Sequence, residues 1–367
     1  MRVLMTGGGT AGHVNPAIAI ANTIKEYEPD SEIAFVCSHN KGDKAQDLVP
    51  RAGYKKPYTV RICGKKKIYN PANIKTLIYM MTSPIKAKSI IREFKPDIII
   101  GTGGYACYPV ARAGVKLGIP TVLHESNAIA GSAVKLLCSS VDIVMTNFES
   151  TANNLSGAKK VIRVGNPIIK STKPTATEQE SSSFKRSVLC FGGSLGAANL
   201  NVAFVEMLSH IANQYPDVEF IHASGKRDYE NMKQTYEDKG LLDRPNVKLL
   251  DYIYDMDKKM ADAELVISRA GAMTISELAL GGKCAILVPS PFVADNHQYK
   301  NAKALCDANA GVMVQESEFE SGKLEREVVK LLSDAEQRER LGKNILAFAQ
   351  PDANRIIYEE IKKLLAR

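Results

Sequence analysis

Short apolar runs rich in β-branched residues alternate with amphipathic stretches along the whole chain. In the first half, Arg2–Thr6, Glu32–Cys37, Asp97–Gly101, Thr121–His124, Ile143–Thr146 and Val161–Val164 predict strands, with helix patterns such as Pro16–Tyr27 and Pro109–Leu117 between them. The runs are apolar at nearly every position rather than at alternate ones. Strands buried on both faces read this way, as in a parallel sheet covered by helices. Between Lys170 and Ser187 the chain turns polar and rich in Ser and Thr, which predicts a linker or exposed loop. The pattern then restarts: Ser187–Phe191, Val218–His222, Val247–Leu250, Glu264–Ser268 and Cys284–Val288 predict a second set of strands. Two α/β domains follow from the restart. A last amphipathic helix, Asn354–Leu365, lines Ile357, Ile361, Leu364 and Leu365 along one face. It needs a docking surface, for which the first domain is a candidate.

Composition narrows the class. With 367 residues, 45% hydrophobic and 24% charged, the chain is globular and long enough for two domains. No run approaches the ~20 apolar residues of a membrane-spanning helix. The start, MRVLMTGGG, carries no apolar signal core, so secretion is not expected. Seven scattered cysteines, an odd number without any CxxC pair, argue against a disulfide framework or zinc site and for a reducing cytoplasm. The charge is unevenly placed. Between Arg51 and Lys95 stand twelve Lys and Arg and one acid, Glu93, so this window nets +11 in a chain of formal net charge +8. It includes Lys65, Lys66 and Lys67, and it interleaves lysines with Ile74, Leu77, Ile78, Met80, Met81, Ile85 and Ile90. A polyanion or an anionic membrane surface suits such a segment; a solvated basic face over an ordinary buried helix is the plainer reading. Apolar neighbours favour membrane over nucleic acid, because phosphate binding does not need them.

Candidate chemistry gathers just after the strands. Gly7-Gly8-Gly9-Thr10-Ala11-Gly12-His13 follows the first strand, and Gly192-Gly193-Ser194-Leu195-Gly196-Ala197 opens the second domain in the same way. Glycines there let a ligand approach the backbone at a helix N-terminus, where N–H groups and the dipole favour phosphate. The glycines at 7, 9 and 12 formally satisfy GxGxxG. However, a dinucleotide site expects an acid at the end of the second strand. Neither Val36-Cys37-Ser38-His39 nor Ile221-His222-Ala223-Ser224 supplies one, so a dehydrogenase is disfavoured. A third turn, Arg269-Ala270-Gly271-Ala272-Met273-Thr274-Ile275-Ser276-Glu277, can hold an anion and places Glu277 where it could accept both hydroxyls of a ribose. Together these turns suggest a nucleoside diphosphate. Three further clusters are Asp295–Ala302, whose neutral polar side chains suit sugar hydroxyls, Gly101-Thr102-Gly103-Gly104-Tyr105, and His124-Glu125-Ser126-Asn127. All six sit at C-terminal strand ends, the binding edge of open α/β sheets.

These segments, with Gly165-Asn166-Pro167 and His297-Gln298-Tyr299, resemble the MurG-type glycosyltransferases in order and spacing over essentially the whole chain. The resemblance implies a GT-B fold, two Rossmann-like domains with parallel sheets facing a cleft. It divides the chain into an acceptor- and membrane-facing domain (1–165), a UDP-GlcNAc-binding domain (166–350) and a C-terminal helix returning to the first (351–367). It implies an inverting transfer of GlcNAc from UDP-GlcNAc to the C4 hydroxyl of an undecaprenyl-linked MurNAc-peptide, lipid I to lipid II, at the cytoplasmic membrane face. The implied donor contacts are Thr10, Ala11, Gly12, Asn127, Ser194, Ile253, Ala272, Met273, Thr274, Ile275, Ser276, Glu277 and Gln298. The acceptor is implied near His13 and Tyr105. His13 is the first candidate for the base, with helix capping or pyrophosphate orientation as its other reading, and Glu125 is the second candidate. No DxD-like pair stands at a strand end, so the expectation is leaving-group stabilisation by helix dipoles and backbone N–H groups, with no metal or other cofactor. Nucleic acid is not an expected partner. This sequence departs from the family where an Arg usually follows Gly-Asn-Pro-Val: Ile169 stands there and Lys170 is offset by one. His297 and Ser126 also replace common glutamines. The remaining alternatives are another GT-B transferase with a lipid acceptor, a UDP-GlcNAc 2-epimerase, and a non-catalytic polyanion-binding protein.

Overall fold

The computed structural model describes residues 1–62, 73–169, 184–193 and 196–366, and of residues 73–81 and 294 the backbone alone. The chain divides into two compact units, Met1–Lys170 with Gln350–Arg367, and Ser171–Ala349. Most of the polar Lys170–Ser187 stretch and the basic run Lys65–Lys67 lie outside the described residues.

The first unit runs β1 (Arg2–Thr6), α1 (Ala11–Tyr27), β2 (Glu32–Ser38), α2 (Ala45–Arg51), β3 (Tyr58–Val60), α3 (Asn73–Phe94), β4 (Ile98–Gly101), α4 (Cys107–Lys116), β5 (Thr121–Glu125), α5 (Ser132–Leu137), β6 (Ile143–Thr146) and β7 (Val161–Arg163). Its strands pair in parallel in the order β3-β2-β1-β4-β5-β6-β7. Alternate residues of a strand face opposite sides, and here both sides are covered. Val3, Met5, Ile98, Ile100 and Val122 pack with Ile18 and Ile24 of α1. Leu4 and Ile99 pack with Ala87, Ile90 and Ile91 of α3 and Val110 of α4. Each such burial is worth roughly 1.5–3 kcal/mol, which is why these runs are apolar throughout.

The second unit repeats the plan: β8 (Arg186–Phe191), α6 (Ala198–Ile211), β9 (Val218–Ala223), α7 (Tyr229–Asp238), β10 (Val247–Leu250), α8 (Met256–Asp262), β11 (Leu265–Ser268), α9 (Ala272–Leu280), β12 (Ala285–Leu287), α10 (His297–Asp307), β13 (Val312–Met313), α11 (Lys323–Ser333) and α12 (Ala335–Ile345). Its strand order is β10-β9-β8-β11-β12-β13, again all parallel. The last helix, α13 (Ala353–Leu365), belongs to the first unit. Ile357 and Ile361 enter the same cluster as α1. The Tyr358 ring stacks on Tyr27 at 4.4 Å, and Tyr358 Oη and Lys362 Nζ both donate to Glu28 Oε1, at 2.9 and 2.6 Å.

Three differences from the sequence reading have physical causes. Helix α1 starts at Ala11, not Pro16. Proline favours the first helical position, but Thr10 takes the N-cap place here and Pro16 falls inside the helix, with no N–H to return to Gly12. Helix α3, which the sequence reading did not delimit, runs through Pro84 to Phe94. The edge strands β3 and β13, of three and two residues, are too short to carry a periodic signal. No helix among the described residues is long and apolar enough to cross a membrane.

In each sheet the strand order reverses direction at one place, between β1 and β4 in the first and between β8 and β11 in the second. Loops leaving such neighbouring strands diverge to opposite faces and open a crevice at the C-terminal edge. All the glycine-rich turns singled out above border these two places or the adjoining strands.

Candidate active site

At the first crevice two glycine turns interlock. Gly104 has φ +82°, and a Cβ there would lie 2.2 Å from the Gly8 carbonyl oxygen. Gly103, at φ +99°, supports the His13 ring: a Cβ would lie 2.8 Å from its Cδ2 and 3.2 Å from Nε2. No other residue fits either position. Thr102 Oγ1 donates to the His13 carbonyl at 2.7 Å, joining the β4 turn to the first turn of α1. His13 Nδ1 lies 3.1 Å from the Gly8 carbonyl, which can only accept, so Nδ1 carries a proton. Nδ1 also lies 3.4 Å from Thr10 Oγ1. Thr10 is exposed at the helix N-cap, Ala11 is half-buried and Gly12 is exposed; Tyr105 projects into solvent.

Sequence reasoning missed Asp43 in this crevice. It is buried beside Gly8, where a Cβ would lie 2.5 Å from Asp43 Oδ2. It stands five residues beyond the end of β2, the place searched for a ribose-binding acid. However, Oδ2 accepts from Ser38 N at 2.8 Å and Oδ1 from Ala45 N at 3.0 Å. Its charge organises the loop after β2 instead of offering itself to a diol.

The loop after β5 is built around Glu125, which is 5% exposed. Its Oε1 accepts from Asn127 N and Nδ2 at 3.0 and 3.1 Å, and its Oε2 accepts from Gly131 N at 2.7 Å. Thr151 Oγ1 donates to the Asn127 carbonyl at 2.9 Å. Asn127 is thereby presented by a fixed loop, and the Glu125 carboxylate is committed to holding it. That commitment weighs against Glu125 as a base. His124 is fully buried; its Nε2 donates to the Gly165 carbonyl at 2.8 Å, and burial pushes its pKa down to about 4. Ile169 is exposed at the position of the family arginine, while Lys170 lies outside the described residues.

At the second crevice Gly193 and Gly196 have φ of +94° and +79°. A Cβ on Gly196 would lie 2.1 Å from the Ser224 carbonyl oxygen, so the turn after β8 presses on the loop after β9. Ser194 and Leu195 lie outside the described residues. Beneath the turn runs a buried chain of hydrogen bonds that the sequence did not signal. Tyr236 Oη donates to His222 Nδ1 at 2.8 Å, His222 Nε2 to Asn201 Oδ1 at 3.1 Å, and Asn201 Nδ2 to the Ser224 carbonyl at 2.9 Å. Burial pushes His222 down to about 3 and raises Tyr236, so both stay neutral.

Gly271 caps α9, and the intrahelical ladder begins at Ile275 N to Gly271 O, 2.9 Å. The N–H groups of Ala272, Met273 and Thr274 precede that ladder at the positive end of the helix. Ala272, Ile275 and Ser276 are buried, Met273 and Thr274 half-buried. Glu277 follows one turn in. It is half-buried, and among the described residues no hydrogen bond or ion pair reaches its carboxylate. Burial, with the charge of Asp257 second, pushes its pKa up to about 7. Ile253 is buried between the exposed Tyr252 and Tyr254 in the loop after β10, so its backbone is the part a ligand could reach. In the loop after β12, Gln298 Oε1 accepts from Ser290 N at 2.8 Å. Asp295 and Asn296, both left-handed, turn the chain into α10.

Comparison with known proteins gives one consistent neighbourhood. Residues 3–146 match the glycosyltransferase family 28 N-terminal domain, and residues 187–356 match the family's C-terminal domain. The UDP-N-acetylglucosamine–N-acetylmuramyl-(pentapeptide) pyrophosphoryl-undecaprenol N-acetylglucosamine transferase of Acetivibrio thermocellus is 37% identical over 100% of this chain and 98% of its own length. The crystal structure of Acinetobacter baumannii MurG superposes with a TM-score of 0.75 at 27% identity, covering 99% of both chains. A UDP-GlcNAc 2-epimerase from Neisseria meningitidis, crystallised with UDP-GlcNAc, superposes at 0.67 over 99% of this chain and 100% of its own; at 16% identity it shares the fold.

Proposed function

Because the chain belongs to glycosyltransferase family 28 over both of its domains, we propose that it moves GlcNAc from UDP-GlcNAc to the C4 hydroxyl of an undecaprenyl-linked MurNAc-peptide, converting lipid I to lipid II. The fold is GT-B and the chain is a glycosyltransferase. The observation that carries the donor assignment is Glu277. A half-buried carboxylate raised to about 7, one turn inside a helix that starts at a sheet crevice, is costly until two hydroxyls donate to it. A ribose diol at α9 supplies those donors, and the first turn of α6 then faces the diphosphate. Thr10, Ala11, Gly12, Asn127, Ser194, Ile253, Ala272, Met273, Thr274, Ile275, Ser276 and Gln298 complete the proposed donor contacts, several of them through backbone alone.

In this reading the C4 hydroxyl attacks C1 of GlcNAc from the side opposite UDP. The C1–O bond breaks, UDP leaves with the electron pair, and the α linkage becomes β. His13 is the proposed base: Gly8 holds Nδ1–H and fixes the ring, and Nε2 is the atom that takes the hydroxyl proton. Tyr105, exposed just after the Gly103-Gly104 turn that packs on His13 and Gly8, is the proposed acceptor contact. Glu125 acts through Asn127 rather than on the substrate. Negative charge growing on the leaving diphosphate meets helix N-terminal N–H groups.

The acceptor carries a long lipid, so the first domain needs a membrane-facing side. Ile85 on α3 and Leu136 on α5 are 69% and 67% exposed, beside exposed Lys86 and Lys135, with Arg112 and Lys116 on the intervening α4. Ile90 instead lies on the buried face of α3, so part of the basic window is ordinary core. The side chains of Leu77, Ile78 and Met81 lie outside the described residues. The exposed part supports peripheral docking on an anionic cytoplasmic surface. Turnover of UDP-GlcNAc with a lipid I analogue, with and without EDTA, tests the reaction. Formation of a GlcNAc–MurNAc disaccharide supports it. Release of UDP with ManNAc and no disaccharide would assign an epimerase.

A further inference from the structure

Three loops at the C-terminal edge of the second sheet meet at one ion pair. Arg269, the first residue after β11, pairs through Nη2 with Glu316 Oε1, and the two side chains are only 13% and 11% exposed. Arg269 Nη1 donates to the Val288 carbonyl at 3.2 Å, where β12 passes into the loop that holds Ser290 and Gln298. The other carboxylate oxygen, Glu316 Oε2, accepts from Asn199 Nδ2 at 2.5 Å, in the first turn of α6. Glu316 comes from a short turn after β13 that carries none of the glycine-rich signals. Its backbone is itself held, since Glu318 Oε2 accepts from Gln315 N at 2.8 Å and Glu318 Oε1 accepts from Lys323 Nζ at 2.8 Å.

We propose that Glu316 is a positioning residue for a nucleoside diphosphate: its carboxylate fixes the separation of the α6 and α9 N-termini so that one ligand engages both at once. The inference rests on the donor site proposed above. Each N-terminus can hold its own part of the ligand alone, the diphosphate at α6 and the ribose at α9 with Glu277. The gain from holding both in one molecule depends on their spacing being set before binding. Glu316 sets it from one side through Asn199 and from the other through Arg269. Removing the carboxylate unties Asn199 from Arg269, so the two N-termini are no longer held at one spacing while each keeps its own contacts.

The experiment compares UDP with uridine by calorimetry on the intact chain, in the native protein and in Asn199→Ala, Glu316→Gln and Glu316→Ala. Uridine reports the α9 side alone; UDP reports both. The ratio of UDP to uridine affinity should fall about tenfold in Glu316→Ala and by less in Asn199→Ala, with uridine affinity held within about twofold. Glu316→Gln keeps an acceptor for Arg269 and should recover most of the ratio. An unchanged ratio in Asn199→Ala and Glu316→Ala, or equal weakening of both ligands, overturns the inference and leaves Glu316 a stability residue. Should Glu316→Ala fail to fold, Asn199→Ala removes only an exposed side chain, and its ratio with that of Glu316→Gln decides. A native protein that binds UDP no better than uridine overturns the donor site itself, a result distinct from an unchanged ratio among variants.

Discussion

Desolvation at Glu277 makes nucleoside binding pH-dependent. The carboxyl titrates near pH 7 in the free protein, and only the ionised form accepts two hydroxyls. Affinity for uridine, which has no group titrating nearby, should therefore fall as pH drops below 7, approaching tenfold per unit, and be flat above it. Glu277→Ala should abolish the slope and weaken UDP by roughly ten- to hundred-fold, the worth of hydrogen bonds to a charged acceptor. Calorimetry between pH 5.5 and 8 measures both, and an unaltered affinity in the variant would remove Glu277 from the site. At His13 the expectation is the opposite division: His13→Ala should lower kcat about 10²–10⁴-fold with donor affinity nearly unchanged. A variant that binds UDP-GlcNAc poorly but turns over normally at saturation would make His13 a phosphate-orienting residue. Both side chains stood out in the sequence. What it could not supply is the fold of the turn that sets the Gly8 carbonyl against His13 Nδ1, or the burial of Glu277, which depends on neighbours far along the chain.

The turns behave differently from one another at the level of the element, although each reads as a glycine cluster. Gly193 and Gly196 both have positive φ, but a Cβ on Gly193 meets nothing within 4 Å, while one on Gly196 strikes the Ser224 carbonyl. Gly193→Ala should cost only backbone strain, about 1–3 kcal/mol. Gly196→Ala should lower Tm further and weaken UDP as well, since the turn must lift away from the loop after β9. Thermal melts and UDP titrations of the two variants check the contrast. Equal effects would mean that the contact with Ser224 is not what shapes the turn. The buried Tyr236–His222–Asn201 chain beneath that turn belongs to the same element, and its members lie in three separate segments with no motif in common.

Over the whole molecule, acid should act unequally on the two units. His124 and His222 are each held neutral by burial, with folded pKa values of about 4 and about 3 against an ordinary 6.5. The unfolded chain binds those protons first, so stability falls as pH drops below 6.5, by up to ~1.4 kcal/mol per unit for each histidine. In the second unit Glu277 works the other way. Its raised folded pKa makes the folded state bind the proton first, which adds stability as pH falls from 7 towards 4.5. The first unit should therefore loosen earlier between pH 6.5 and 4.5, and hydrogen exchange resolved by segment shows which unit opens first. The membrane-facing reading also belongs to this scale. The native protein should co-sediment with phosphatidylglycerol vesicles at low salt and be released as salt screens the basic window. Ile85→Ser with Leu136→Ser should weaken that binding while leaving turnover on a short-chain acceptor nearly intact. Native protein that stays in the supernatant at low salt would leave the window as a solvated basic face.

Local pattern by itself determined a great deal here. The near-continuous apolar runs specify parallel strands covered on both faces, their restart specifies a second domain, and the glycines after β1, β4, β8 and β11 mark the binding edges. Each of these signals is contained in a few consecutive residues. Tertiary structure decided what depends on residues meeting across the chain. It set the strand order that brings Gly8 against Gly104, and it committed Asp43 and Glu125 to backbone N–H groups. It also seated α13 on α1 and joined Arg269, Glu316 and Asn199 in one ion-pair cluster. A carboxylate looks the same in sequence whether a loop has already claimed its oxygens or has left them to a ligand, and only the surrounding fold, by supplying or withholding donors, distinguishes Glu125 from Glu277.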